Sequence, residues 1–143
     1  MKEYTPIWDR KNETWFIKEK LPNNQTMIMS FERTDSSADT DYWNIALCVV
    51  NKRKHINRVF DNVEMTGKNP IQTVHVARGM FKQLENTIMN DDYQRKFNNI
   101  IYCSWLDKQR REVYYKYLSR RGYSYGMLLG SKVIMKYIPK KDG

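Results

Sequence analysis

Asn99-Ile100-Ile101-Tyr102-Cys103-Ser104 is a short run of dense apolar character, and it reads as a strand buried in the middle of a sheet. A helix follows at once. Leu106, Val113, Tyr114, Tyr117 and Leu118 form its apolar face, and Ser104 or Asp107 is available as its cap. Arg120 and Arg121 fall in the last turn, where cations suit the helix dipole, and Gly122 stands where a left-handed C-cap belongs. Lys132-Val133-Ile134-Met135-Lys136-Tyr137-Ile138 then reads as a closing strand. A strand, a helix and a strand in this order place the chain in the α+β (mixed α/β) class, with helices packed on a single mixed sheet.

Upstream lies a second helical pattern. Ile71, Val74, Ala77, Phe81, Leu84 and Ile88 follow one another at spacings of 3, 3, 4, 3 and 4. Pro70 suits the first helical turn, with Asn69 or Thr66 as cap, and Gly79 interrupts the helix at a cost of about 1 kcal/mol relative to alanine. Before Pro70 come four strand signals at 14–18, 26–32, 42–50 and 57–64. Pro22-Asn23-Asn24 makes a turn, and Arg33 to Asp41 is a hairpin connection or a mobile loop. No crossover of a dozen residues separates these strands, so they form an antiparallel meander. The full order is β-β-β-β-α-β-α-β.

The 143 residues make one domain, 1–143, with 1–13 peripheral and 140–143 a frayed tail. With 41% hydrophobic, 29% charged and 13% aromatic residues, the composition excludes disorder, collagen and coiled coil as the main class. No stretch is apolar enough to span a membrane, and Met1-Lys2-Glu3-Tyr4-Thr5-Pro6 is not a signal peptide. Cys48 and Cys103 lie in apolar runs as buried thiols, or as a disulfide joining two neighbouring core strands. His55 and His75 have no zinc-like spacing, so no metal is expected; His75, beside an apolar stripe, reads as a partly buried structural residue.

The charge of +9 is unevenly placed. Residues 1–71 hold eleven Lys/Arg against ten Asp/Glu, whereas 72–143 hold fourteen against six. Lys108, Arg111, Lys116 and Arg120 form a basic stripe on the last helix, suited to nucleic-acid phosphates or an acidic protein, or simply to solvation. Signatures of P-loop, serine-hydrolase, zinc-protease and Cys-His chemistry are missing, and Asp91-Asp92 reads as a turn.

Two stretches resemble the GNAT superfamily of acyl-CoA N-acyltransferases. One is Thr66-Gly67-Lys68-Asn69-Pro70 with the helix through Ile88. The other runs from Ile100 to Tyr137 and includes Val113-Tyr114-Tyr115-Lys116-Tyr117-Leu118 and Arg121-Gly122-Tyr123. Arg110, Val113, Tyr114, Arg121, Gly122 and Tyr123 also match a pattern similar to GNAT-like proteins of bacteriophages.

The resemblance implies acetyl-CoA as cofactor, with its pyrophosphate at Thr66, Gly67, Lys68 and Asn69, where unpaired N–H groups meet the helix dipole. It also implies a tyrosine as general acid for the leaving thiolate, here Tyr114 or Tyr115, and a base at Glu64 or Asp61. The other reading places Tyr114 in the core and Tyr115 in solvent, with the two acids merely solvated. The family's Arg/Gln-x-x-Gly-x-Gly/Ala run has no counterpart here. The resemblance therefore implies a phage-type accessory protein with a degenerate acyl-CoA site, acting on a host or virion protein in the host cytoplasm or on the virion. The alternatives are an active N-acetyltransferase and a weak, non-specific nucleic-acid binder.

Overall fold

A computed structural model describes residues 3–21, 25–51, 70–105 and 108–141. Seven strands form one sheet: β1 (Ile7–Asp9), β2 (Thr14–Lys20), β3 (Gln25–Ser36), β4 (Thr40–Asn51), β5 (Asn98–Cys103), β6 (Ser124–Leu128) and β7 (Ser131–Ile138). Helix α1 (Pro70–Met89) lies between β4 and β5, and α2 (Lys108–Leu118) between β5 and β6. The spatial order is β1-β2-β3-β4-β5-β7-β6. Every neighbouring pair is antiparallel except β4 and β5, which are parallel. The class is α+β with a mixed sheet, as the sequence predicts.

Period-two patterning builds the core. Ile17 pairs with Met29 and Met29 with Leu47; Phe31 pairs with Ile45, so these side chains share one face of the sheet. Ile101, Cys103, Ile134 and Ile138 continue that face across β5 and β7. Helix α1 lays Val76, Met80, Phe81, Leu84 and Ile88 against it, and α2 adds Leu118. Each such side chain fully withdrawn from water contributes roughly 1.5–3 kcal/mol. Both helices cover the same face because β4-α1-β5 and β5-α2-β6 advance across the sheet in one direction, and such crossovers share one hand.

Some local readings are corrected. β1 and β6 are additional strands. β1 forms because Asp9 Oδ1 accepts the backbone N–H of Lys11 at 3.1 Å and of Asn12 at 3.3 Å, which closes the turn into β2. β3 runs on to Ser36, bulging between Arg33 and Asp35, and β4 begins at Thr40, so the Arg33–Asp41 stretch is mainly strand with a tight connection at 37–39. The buried line of α1 runs along Val76, Met80, Leu84 and Ile88, which leaves His75 exposed rather than partly buried. The strand expected at 57–64 lies outside the described residues. Gly122 does end α2 in the left-handed region (φ 93°), after one 3-10 turn at Ser119–Arg121. Cys48 and Cys103 are buried thiols, not joined in a disulfide. Of the tail, Lys140 donates its N–H to Asn98 Oδ1 at 2.9 Å and Lys141 to the Arg95 carbonyl at 2.9 Å.

A buried polar cluster fixes where the parallel pair begins. Asn99 sits opposite Asp41 in the ladder. Its Oδ1 accepts Trp43 Nε1–H at 2.9 Å and Gln94 Nε2–H at 2.7 Å, and its Nδ2 donates to the carbonyls of Gln94 and Phe97 at 3.0 and 3.1 Å. Asp41 accepts from Ser36 Oγ at 2.6 Å and from Gln94 Nε2 at 2.5 Å. Slipping the register by one residue would leave these buried groups without partners, at about 1–3 kcal/mol each.

Candidate functional site

The ladder between β4 and β5 covers Thr40–Asn44 against Asn98–Tyr102 and then stops. β5 ends at Cys103 and the chain leaves for α2, while β4 runs on to Asn51. Beyond Asn44, no described residue pairs with β4 on that side. The gap left where the two strands part opens under both helices as an apolar cleft of about 120 Å³. Crevices at the carboxyl ends of parallel strands are where open sheets of this kind hold ligands.

Each wall comes from a different element. Met29, Ile45, Leu47 and Cys103 form the sheet side. Val74, Ala77, Arg78 and Phe81 come from α1, and Val113, Tyr114, Tyr117 and Leu118 from α2. The apolar stripe of α1 is thus shared, one flank facing the core and the other the cleft.

Two tyrosines and an arginine supply the polarity. The Arg78 guanidinium lies 5.1 Å from the Tyr117 ring centroid, and Tyr117 Oη donates to the Arg78 carbonyl at 3.5 Å. Burial pushes the Tyr117 phenol above its ordinary value, opposed by the positive charges of Arg121 and Arg78. On the floor, burial pushes the Cys103 thiol up to about 12, so it stays protonated and is no nucleophile.

Behind Phe81, Glu85 is sealed from solvent. It accepts from Arg121 at 2.6 Å and Tyr123 Oη at 2.7 Å, with Lys136 Nζ at 3.8 Å. Its position ties α1 to the end of α2 and to β7, holding the two helical walls at a fixed spacing.

The residues singled out from sequence are not gathered in one place. Tyr114 lines the cleft. Tyr115 is half-buried rather than solvent-facing, because its ring stacks on Tyr125 at 4.3 Å and 9°. Lys108, Lys116 and Arg120 are exposed, while Arg111 packs its guanidinium 6.0 Å from the Trp105 ring. Thr66, Gly67, Lys68 and Asn69 lie outside the described residues, as do Glu64 and Asp61. Arg78 and Tyr117 were missed as cleft residues. The sequence signals them only through helical spacing: Tyr117 belongs to the apolar face of α2, and Arg78 borders the stripe of α1.

Among the described residues no cluster of His, Cys, Asp and Glu could hold a metal ion, and no helix is long and apolar enough to cross a membrane. Comparison with protein-family models, curated proteins and solved structures returns no match.

Proposed function

We propose that the chain is a GNAT-like accessory protein of the phage type, and that its cleft takes the acyl end of the pantetheine arm of an acyl-CoA. The observation that carries this reading is the parting of the parallel strands after Asn44 and Tyr102, with an apolar cleft in the gap under α1 and α2. The resemblance drawn from sequence implies acyl-CoA at the start of the helix after the fourth strand. Val74, in the second turn of α1, already lines this cleft. An arm lying there would leave its phosphates near the N-terminus of α1, where the dipole and unpaired N–H groups favour anions.

Binding without fast turnover fits the lining better than catalysis does. Acetyl transfer needs a neutral amine, and among the described residues no carboxylate or imidazole lines the cleft to take its proton. Tyr114 favours the second reading, an active N-acetyltransferase, because it stands in the wall where the resemblance asks for a general acid.

Thermal unfolding with millimolar acetyl-CoA tests the proposal. A ligand that binds only the folded state must raise Tm by mass action. Ala77→Trp, which fills the cleft, should abolish that rise. No rise with the parent chain would overturn the reading. Release of free CoA with an amine panel, lost in Tyr114→Phe, would promote the acetyltransferase over the accessory protein.

A further inference from the structure

The two edges of the sheet are built differently. β1 is three residues long, follows Pro6 and leads into Asp9, Arg10 and Lys11, which are ordinary defences against unwanted pairing. β6 has none of these. From Gly122 to Ser131 the chain carries no charged residue and no proline. Yet its apolar side chains stay largely exposed: Tyr125, even with one ring face stacked on Tyr115, is 49% exposed, Met127 59% and Leu129 94%.

The hairpin at this edge also holds its most exposed leucine in an unfavourable conformation. Leu128 pairs with Ser131, so the loop is only Leu129 and Gly130, with φ of 49° and 79°. Such a turn calls for asparagine or glycine at its first position, and a bulky side chain is strained there. A strained, fully exposed leucine does nothing for the fold, and points to a contact outside it. The backbone is equally available. With a two-residue loop the flanking pair is the hydrogen-bonded kind, and pairs then alternate along the ladder. Gly126 and Ser124 therefore turn toward β7, and the N–H and C=O groups of Tyr125 and Met127 face outward.

Charge selects the occupant. Residues 108–141 hold ten Lys/Arg and a single acid, Glu112. Lys132 sits directly across the ladder from Met127, and Arg111 packs on Trp105, whose ring meets Tyr125 edge-on at 5.9 Å. A second copy would bring the same positive field to this edge and be repelled. We propose that the β6 edge is a docking site for an extended segment of another protein, with alternating apolar side chains and acidic flanks, which adds to the sheet as an eighth strand. The site is separate from the cleft and does not depend on acyl-CoA binding.

The test uses the intact chain and a short synthetic peptide that alternates valine and threonine between glutamates. Amide exchange followed by NMR should slow at Tyr125 and Met127 when the peptide is added, with little change at Ser124 and Gly126. Leu129→Asn and Met127→Thr should each weaken the peptide at least tenfold, while the thermal unfolding of both variants shows them folded. The same peptide with lysines in place of glutamates should also bind at least tenfold more weakly. Several results would overturn the proposal. They are unchanged exchange at Tyr125 and Met127 in millimolar peptide, equal binding of the lysine peptide, equal protection by an oligothymidylate, or self-association of the chain that Leu129→Asn abolishes.

Discussion

The Tyr123 hydroxyl donates to Glu85 Oε2 at 2.7 Å, joining the residue that opens the last hairpin to the middle of a helix 38 positions earlier. Both groups are buried, so neither has water as a substitute partner. Tyr123→Phe removes one hydrogen bond to a charge and should cost about 1.5–3 kcal/mol. Glu85→Ala strips Arg121 and Tyr123 of their shared acceptor and opens a void, and should cost about 3–5 kcal/mol. Urea unfolding of the two variants measures both. Equal losses would mean that the Arg121 contact contributes nothing.

Stability should decline at alkaline pH. Burial first, and the Glu85 carboxylate second, hold the Tyr123 phenol well above its ordinary value; burial likewise raises Tyr117 and takes Cys103 to about 12. Each group gives up its proton more readily in the unfolded chain. The stabilisation is thus complete below the unfolded values, about 8.5 for a thiol and about 10 for a phenol, and is lost as pH rises through the folded ones. Urea midpoints should hold steady from pH 7 to 8 and fall between pH 9 and 11. Tyr123→Phe should flatten part of that fall, and a midpoint that stays constant to pH 11 would contradict the assignment.

Leu129→Asn should stabilise the chain by about 1 kcal/mol, since asparagine tolerates the left-handed region that costs a bulky residue roughly 1–2 kcal/mol. The loss of leucine surface costs the fold nothing, because that side chain is exposed. Differential scanning calorimetry should show a Tm a few degrees higher. A lower Tm would mean that Leu129 packs within the fold after all.

Gly79 lies under the ring of Tyr4, and a Cβ placed on it would stand 2.6 Å from Tyr4 Cε2. Alanine at an ordinary position inside a helix gains about 1 kcal/mol over glycine. At position 79 that gain should vanish, because the ring must move off α1. In a Tyr4→Ala background the obstacle is gone, and Gly79→Ala should recover most of it. A double-mutant cycle by chemical denaturation reads the difference.

What the sequence determined by itself is what lies within a turn or two of each residue. The apolar density of Ile100 to Cys103 marked an inner strand, the spacing from Val74 to Ile88 marked a helix, and Arg121-Gly122 marked where the second helix ends. Each of these rests on interactions between residues four or fewer apart, which composition and period report directly. Tertiary structure decided the rest. Ser124 to Leu128 has little strand character until pairing with β7 supplies its ladder. Glu85 falls on an apolar stripe, and only partners 36 and 38 residues away make its burial tolerable. Tyr114 and Tyr115 are adjacent and chemically alike, yet one lines the cleft and the other stacks on Tyr125. The cleft itself exists because β5 ends at Cys103 while β4 continues to Asn51. That is a relation between two strands separated by a helix, and no local pattern in the chain encodes it.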